Sequence, residues 1–397
     1  MTARDQELLD WLRAREGEMA TLLRALAFAE SPSHEPGKRA AEMLADELHA
    51  VGYGTRLVGG WNAGDHLYAC PSARRRHAPF QLLIGHLDTV WPLGTVEEMR
   101  PRIEDGRLYG PGVYDMKGGL VQLVYALRAL RELGEEPVVT PVVLVTSDEE
   151  TGSDDSVRWI RLLAAGATRV FVVEPPAGAD GRLKTCRKGV GMFRVTVHGR
   201  AAHAGSSPEE GISAIRELAR QVERLFALND AQRGITVNVG TIDGGLSPNV
   251  VAPEAFALVD VRAPTLESAA EIEQAIRSPG PLPPGVRVGV AGSFARPPMV
   301  ATAGNRALFD RARVLALRLG IDVREAALVG GASDANFTSG LAPTLDGLGA
   351  LGDGAHAADE HVVLAAMPER AALLALLLLD PAEIVVPRPR AGAGEVL

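Results

Sequence analysis

The chain has 397 residues, a net charge of −9 and 46% apolar residues. This length exceeds what one ordinary hydrophobic core supports, so two domains are expected, and 43 glycines with 5% aromatic residues are typical of an α/β protein with many tight connections. The negative charge, with no basic stripe beyond Arg74 to Arg76, argues against a nucleic-acid partner.

Cys70 and Cys186 lack a CxxC spacing and are too few for a disulfide framework, so reduced thiols are expected. The first residues form a charged amphipathic pattern without the apolar region of a signal peptide, and no apolar run is long enough to span a membrane. The sequence therefore predicts a cytoplasmic protein with no membrane partner.

Helical and β-type patterns alternate in the first half of the chain. Apolar residues recur at helical spacing over 5–29, 38–51, 119–133 and 155–165. β-type runs cover 81–84, 138–146 and 170–173. This order predicts βαβ units and a mostly parallel sheet, in which ligands bind at the loops that follow the carboxyl ends of the strands.

From about residue 191 the pattern changes to strand, helix, strand, strand, helix, strand. This is the ferredoxin-like order and predicts an inserted second domain at 190–300. Helical and β patterns resume after Gly304 and end in an apolar helix at 367–379, so the first domain is expected to consist of 1–189 and 301–397. The tail at 387–397 is expected to be mobile.

A histidine and an aspartate follow the first β-type run. The run ends in Gly85, so His86 is expected where a central strand becomes a loop, with Asp88 two residues further on. Such residues face the same side of an extended segment, so Asp88 can accept the second N–H of His86 while the other ring nitrogen binds a metal. A single H-x-D pair is also a common coincidence, and its meaning depends on the residues that follow.

Further acidic residues follow in the loops after the strands. Asp115 lies among glycines in GPGVYDMKGG, where it either bridges two metals or simply caps the next helix. Glu149 and Glu150 lie in SDEETGS, which is either an ordinary acidic loop or a pair in which one glutamate binds a metal and the other accepts a proton. Glu174 follows the run at 170–173 and precedes two prolines.

The last ligand should be a histidine, and the candidates are His198, His203, His356 and His361. His356 is favoured because it lies in a glycine-rich loop of the returning first domain. Two histidines and three acids, with Asp115 shared, give each of two ions three protein ligands and leave a position for water. Mixed nitrogen and oxygen donors without thiolate favour Zn²⁺, although Mn²⁺ or Co²⁺ would also fit.

Nine motifs along nearly the whole chain carry a family resemblance. They are GHLDTV, YGPGVYDMKGG, SDEETGS, VVEP, GRAAHAGSSPEEGISAI, SPNVVAP, DVRAP, GGASDA and GAHAADE. In this order they resemble the carboxypeptidase G / acetylornithine deacetylase / succinyl-diaminopimelate desuccinylase family of di-zinc metallopeptidases. The resemblance implies an α/β fold, with a mostly parallel-sheet di-zinc peptidase domain and an inserted ferredoxin-like α+β domain that serves as lid and dimer interface.

The resemblance also implies a role for each residue of the first domain's site. One Zn²⁺ would be bound by His86 and Glu174 and the other by Glu150 and His356, with Asp115 bridging both. Glu149 would be the general base and Asp88 the partner of His86. The peptide bond between Asp115 and Met116 would be cis.

In the inserted domain, the resemblance implies that His203 reaches the active site of the other subunit of a homodimer and donates a hydrogen bond to the developing oxyanion. Asn249 and Arg262 would bind the free carboxylate of the substrate, and a strand-end salt bridge is the alternative role of Arg262. Gly331, in the GGASDA turn, is a further expected substrate-binding position.

The predicted function is hydrolysis of the amide bond that joins an acyl or peptidyl group to a C-terminal amino acid with a free carboxylate, as in the carboxypeptidase G branch. That branch removes glutamate, but Ala326 to Val329 are apolar where a basic residue would be expected, unless Arg296 or Arg324 supplies the charge. The alternatives are an N-acyl amino acid amidohydrolase or a dipeptidase that prefers an apolar amino acid, and more remotely a non-catalytic binding protein on this scaffold.

Overall fold

The computed structural model describes residues 1–33, 38–60, 64–75 and 78–381. The predicted mobile tail at 387–397 lies outside these residues. Helices in the described residues are α1 Ala3–Arg13, α2 Glu16–Phe28, α3 Lys38–Ala50, α4 Thr95–Glu98, α5 Gly118–Glu132, α6 Val157–Gly166, α7 Ala214–Phe226, α8 Leu266–Arg277, α9 Ala303–Arg318, α10 Ala335–Thr338 and α11 Met367–Leu379. Strands are β1 Tyr53–Val58, β2 His66–Pro71, β3 Phe80–His86, β4 Arg102–Glu104, β5 Arg107–Tyr109, β6 Thr140–Thr146, β7 Val170–Val172, β8 Gly189–His198, β9 Thr236–Gly244, β10 Glu254–Ala263, β11 Arg287–Arg296, β12 Thr344–Leu345, β13 Gly352–Asp353 and β14 His361–Val363.

The chain divides into two compact units. The first comprises residues 1–185, 301–327 and 333–397, and the second comprises residues 186–300 and 328–332. The short segment 328–332, which the sequence assigned to the first domain with 301–397, therefore groups with the second unit. Two hydrogen bonds connect this segment to the start of the second unit. The N–H of Lys188 donates to Val329 O at 3.0 Å, and the Arg187 side chain donates to Gly331 O at 3.1 Å.

The first unit contains the predicted mostly parallel sheet. Its strand order is β1-β2-β6-β3-β7-β12, in which β6, β3, β7 and β12 run parallel and β1 and β2 form an antiparallel edge. Strand β3 is buried from Gln81 to His86, as expected for a central strand that is covered on both faces.

Helices α5 and α11 form the centre of the apolar core in this unit. Both are apolar around most of their circumference and almost completely buried, which is the pattern of a helix enclosed by other elements. A small antiparallel sheet of order β13-β14-β5-β4 also belongs to this unit. The connection between β13 and β14 contains His356.

The second unit is a four-stranded antiparallel sheet of order β11-β8-β10-β9 with two helices, α7 and α8. The chain order β-α-β-β-α-β and this strand order are ferredoxin-like, so the predicted fold class is confirmed for both units. The core of this unit comes from alternate strand residues, such as Phe193, Val195 and Val197 of β8, whose side chains point to one face. No helix within the described ranges is long and apolar enough to cross a membrane.

Candidate metal centre

Three parallel strands deliver acidic and histidine side chains to one edge of the first unit's sheet. His86 is the last residue of β3, Glu149 and Glu150 begin a 3₁₀ turn after β6, and Glu174 lies two residues after β7. Because β6, β3 and β7 are parallel neighbours, their carboxyl ends meet at the same edge. Asp115 comes from the irregular turn Val113–Lys117 that precedes α5, and its peptide bond to Met116 is cis, as predicted.

The predicted ligand residues form two triads that share one carboxylate. In the first triad, His86 Nε2 lies 3.1 Å from Asp115 Oδ1 and 3.5 Å from Glu174 Oε1. In the second, His356 Nε2 lies 3.6 Å from Asp115 Oδ2 and 3.2 Å from Glu150 Oε1. The two oxygens of Asp115 thus face different histidines.

These distances fit two metal ions. Two ligand atoms that are each about 2.1 Å from one ion at a tetrahedral angle lie about 3.4 Å apart. The four nitrogen-to-oxygen distances of the two triads, 3.1 to 3.6 Å, cluster around this value. Ligand atoms of His86, Asp115 and Glu150 also lie within 4.8 Å of one another, as do those of His86, Glu149 and Glu174. Imidazole and carboxylate donors without thiolate suit Zn²⁺, Mn²⁺ or Co²⁺.

Charge in this cluster also favours cations. Burial opposes ionisation of Asp115, but its hydrogen bond to His86 and the nearby imidazoles hold its pKa below the ordinary value. Burial also opposes protonation of His86, yet its contacts with Asp115 and Asp88 raise its pKa well above the usual range. The hydrogen bond to Glu150 raises the pKa of His356 to about 9. The carboxylates thus create a strongly negative potential at both histidines.

Asp88 has a different contact with His86 from the one expected. His86 Nδ1 donates to the backbone carbonyl of Asp88 at 2.9 Å, whereas the Asp88 carboxylate is 3.5 Å away. The carboxylate instead accepts the backbone N–H groups of Glu149 and Glu150 at 3.1 and 3.0 Å and the hydroxyl of Ser33 at 2.8 Å. The residue thus contacts the His86 ring through its carbonyl, and its carboxylate holds the turn that carries the two glutamates.

Glu149 and Glu150 diverge from this turn. Glu150 contacts His356, whereas a Glu149 carboxylate oxygen lies within 4.8 Å of ligand atoms of His86 and Glu174. Glu149 is buried, at 7% exposure. Adjacent residues of a tight turn cannot point the same way, so this arrangement allows one to bind a metal and the other to act on a proton.

The remaining predicted residues belong to the second unit. His203 is exposed, and its Nδ1 accepts the backbone N–H groups of Gly205 and Ser206 at 3.1 and 3.0 Å. These two bonds define the tautomer, because a ring nitrogen that accepts leaves the proton of a neutral imidazole on Nε2. His203 therefore presents an Nε2–H donor.

Asn249 lies beside His203, since the N–H of Ala204 donates to Asn249 O at 2.9 Å. Arg262 makes a two-pronged ion pair with Asp260 on its own strand, with both hydrogen bonds at 2.8 Å. This is the salt bridge considered as its alternative role. Gly331 is exposed and its carbonyl accepts from Arg187.

Two charged residues beside the centre were missed by sequence reasoning. Glu360, four residues after His356, is buried and accepts from the backbone of Gly112, Tyr114 and Asp115. Lys117, two residues after Asp115, is buried and donates to the carbonyls of Leu26 and Ala29; burial lowers its pKa to about 8. The only sequence signal for either residue is a charge close to a candidate ligand in a glycine-rich or histidine-containing motif.

Comparison with known proteins agrees with the family indicated by the motifs. The family described as peptidase family M20/M25/M40 matches residues 82–380. Carboxypeptidase G2 of Pseudomonas sp. (strain RS-16) is 31% identical over 312 residues, which cover 75% of this chain and 73% of that protein. Succinyl-diaminopimelate desuccinylase of Halorhodospira halophila is 28% identical over 366 residues, which cover 87% of this chain and 94% of that protein.

Among solved structures, a dinuclear metal binding peptidase from M20 family of Bacillus subtilis matches with a TM-score of 0.70 at 14% identity, covering 92% of this chain and 98% of that one. At this identity the likeness shows a shared fold. The family match over most of the chain and the similarity to carboxypeptidase G2 confirm the predicted family and the predicted enzyme class. The chain belongs to peptidase family M20/M25/M40 and is a hydrolytic metallopeptidase.

Proposed function

We propose that the protein cleaves the amide bond between an acyl or peptidyl group and a C-terminal amino acid with a free carboxylate. The observation that carries this proposal is the pair of triads that share Asp115, with Glu149 beside them. In this reading His86, Asp115 and Glu174 hold one Zn²⁺, and His356, Asp115 and Glu150 hold the other. The dinuclear metal binding peptidase of Bacillus subtilis with the same fold supports two ions rather than one.

Two bound divalent ions would supply a Lewis acid for the scissile carbonyl and acidify the attacking water. Glu149 accepts a proton from that water at its carboxylate and later returns it to the nitrogen of the leaving amine. The Asp88 carboxylate holds Glu149 in place through the main chain, and the Asp88 carbonyl keeps the proton of His86 on Nδ1, so that Nε2 can bind metal.

The second unit supplies the remaining contacts in this proposal. The Nε2–H of His203 donates to the oxyanion that develops on the scissile carbonyl, and Asn249 binds the substrate carboxylate. Arg262 can bind the same carboxylate only after its ion pair with Asp260 is broken. The exposed backbone of Gly331 is a further proposed contact for the substrate. We further propose a homodimer through this unit, in which His203 acts on the partner's site; the cytoplasmic location stays a prediction from the sequence.

Carboxypeptidase G-like activity and the aminoacylase-like or dipeptidase alternatives differ in the amino acid that the enzyme removes. Leu328 is 38% exposed and would favour an apolar side chain. The Lys188 side chain, however, lies near Leu328. Both side chains come within 4.0 Å of the position that a Cβ atom on Gly234 would occupy. Arg324 is paired with Asp322, and Arg296 is buried. Lys188 is therefore a further basic candidate, besides the two arginines, for a contact with a glutamate side chain.

A panel of conjugates with one common acyl group tests the function and this choice together. Glutamyl, aspartyl, leucyl and phenylalanyl conjugates are incubated with the metal-loaded and the chelator-treated protein, and kcat/KM is measured for each. We expect metal-dependent release of the amino acid. If Lys188 selects glutamate, Lys188→Met lowers kcat/KM for the glutamyl conjugate and leaves the leucyl conjugate unchanged. A metal-loaded protein that hydrolyses none of the four would refute the proposal.

A further inference from the structure

Glu360 is a buried carboxylate with four hydrogen-bond donors. Its side chain is 1% exposed. Oε1 accepts the backbone N–H groups of Tyr114 at 2.9 Å and Asp115 at 3.1 Å. Oε2 accepts the N–H of Gly112 at 2.9 Å and the indole N–H of Trp91 at 3.1 Å. No lysine or arginine in the described part of the chain lies within ion-pair distance of it, so its direct polar partners are these four donors.

The segment that Glu360 binds is an irregular turn. Residues 110–117 connect β5 to α5, the helical turn Val113–Lys117 in this connection is interrupted at Asp115 and Met116, and Gly112 has a φ of +70°. Buried N–H groups in such a segment need acceptors, because each one left unpaired costs about 1–3 kcal/mol. The Glu360 side chain provides three of these acceptor contacts, and its backbone carbonyl accepts the N–H of Gly110 at 3.1 Å. Glu360 thus accepts four N–H groups of this turn, those of Gly110, Gly112, Tyr114 and Asp115.

Glu360 also shares a loop with His356. Both residues lie in the connection between β13 and β14, and the N–H of Glu360 donates to Ala357 O at 3.1 Å. His356 has a φ of +62°, so its backbone adopts a conformation that requires support from its surroundings. One loop therefore carries both His356, which belongs to the second triad, and Glu360, which binds the backbone of the shared residue Asp115.

We propose that Glu360 is a positioning residue that sets Asp115 between His86 and His356 by binding the backbone of Gly112 to Asp115. Its role is to fix the direction of the shared carboxylate so that each oxygen faces a different triad. The inference rests on the proposed function, because it assumes that the two triads bind metal. It goes further because Glu360, which would contact neither an ion nor the substrate, determines how Asp115 is oriented between the two metal sites.

The test compares Glu360→Gln with two control variants. A glutamine has one oxygen, so in either orientation its NH₂ group faces two of the four donors and at least two hydrogen bonds are lost. Asp359→Asn removes the same charge at the neighbouring exposed residue, whose carboxylate makes no hydrogen bond with Gly112 to Asp115. Trp91→Phe removes only the indole donor and leaves the three backbone contacts intact.

The readouts are the affinity for Zn²⁺ by chelator competition, the visible spectrum of the Co²⁺-loaded protein, and the melting temperature without metal. For Glu360→Gln we expect an affinity loss of about 10–100-fold at one or both sites and an altered Co²⁺ spectrum. Both control variants are expected to bind as wild type does. If Glu360→Gln does not fold, Glu360→Asp, which keeps the charge on a shorter arm, should fold and show the same losses to a smaller degree.

The proposal is overturned when a folded Glu360 variant binds both ions with wild-type affinity and spectrum, even if its melting temperature falls, because Glu360 would then support only the fold. It is also overturned when Asp359→Asn gives the same losses, because the effect would then be one of charge. A wild-type protein that takes up no metal ends the proposed function and this inference together, whereas two ions bound with the same affinity and spectrum in wild type and in Glu360→Gln end this inference alone.

Discussion

Asp88 holds Glu149 through the main chain, since Asp88 Oδ1 accepts the N–H of Glu149 at 3.1 Å. The other oxygen accepts the N–H of Glu150 at 3.0 Å. One buried carboxylate therefore anchors the turn from which the two glutamates diverge. A group that must meet a reacting atom needs this kind of support, because a displacement of about 1 Å at an active site has a large effect on rate.

Asp88→Asn should lower kcat more than it raises KM. The amide NH₂ group would face one of the two backbone N–H groups, so the turn would shift and Glu149 with it. We expect a decrease in kcat of about 10–100-fold. Ser33→Ala is the matched control, because it removes only the hydroxyl that donates to Asp88, and it should cost less than Asp88→Asn. Equal losses from both variants would contradict the anchoring role.

Glu149→Gln and Glu150→Gln should separate proton transfer from metal binding. Glu149→Gln is expected to keep both ions and to lose about 10²–10⁴-fold in kcat, because an amide cannot accept the proton. Glu150→Gln is expected to weaken the site that contains His356. Metal analysis and turnover are measured on the same samples. Near wild-type turnover in Glu149→Gln would remove this residue from the role of base.

Removal of the metals should abolish activity and lower stability. Ions bind only the folded site, so at a concentration of about 100 times Kd a single ion adds about 2.7 kcal/mol to the free energy of unfolding. We expect the melting temperature to fall on chelation and to recover with Zn²⁺, Mn²⁺ or Co²⁺. His356→Ala should retain one ion per chain, counted by elemental analysis. Full activity in chelator, with no ion bound, would be inconsistent with the centre.

His203→Asn should reduce kcat strongly. His198→Asn is the control, because His198 is a partly exposed histidine of the second unit that pairs with Glu254. If His203 acts across a dimer, mixing His203→Asn with Glu149→Gln chains should restore some activity. The hybrid then contains one site with both residues intact. Mixtures no more active than the separate variants would place His203 in its own chain's site or outside catalysis.

Asp5 should make folding stability sensitive to acid. Burial opposes its ionisation, but hydrogen bonds from the Arg318 side chain and the backbone N–H of Thr2 hold its pKa below the ordinary value of 3.8. A carboxyl with a depressed folded-state pKa adds stability above its unfolded pKa, and that stability is lost as the pH falls through the folded pKa. Asp5→Asn should therefore lower the free energy of unfolding at pH 7, by about 1–2 kcal/mol, and have less effect near pH 3. Urea denaturation at both pH values measures this, and an equal loss at both would contradict the assignment.

The sequence was most informative where local pattern and position in the sheet agree. His86 and Glu174 were predicted at the ends of buried strands, and both are there, because short apolar runs that end in polar residues mark where parallel strands stop. The structure brings all five predicted ligand residues together. Spacing alone could not decide which part of Asp88 faces His86, since its carbonyl and its carboxylate both lie within reach.

Contacts between distant parts of the chain were the least predictable. Glu360 binds residues that precede it by about 245 positions, and no local periodicity encodes such a pair. Residues two apart on a strand share a face, so the Asp260 to Arg262 spacing predicts an ion pair as readily as a substrate ligand. The helix expected at 5–29 is two helices, α1 and α2.

The order of the ligands along the chain has a consequence for biosynthesis. His86, Asp115 and Glu174 all precede the second unit, whereas His356 follows it. On the proposed assignment, a growing polypeptide contains all residues of the first triad once Glu174 has been added, while more than half of its 397 residues remain to be translated. The second triad can close only when the returning segment leaves the ribosome, so a chain interrupted within the second unit would keep the donors for one ion and lack the means to capture the other.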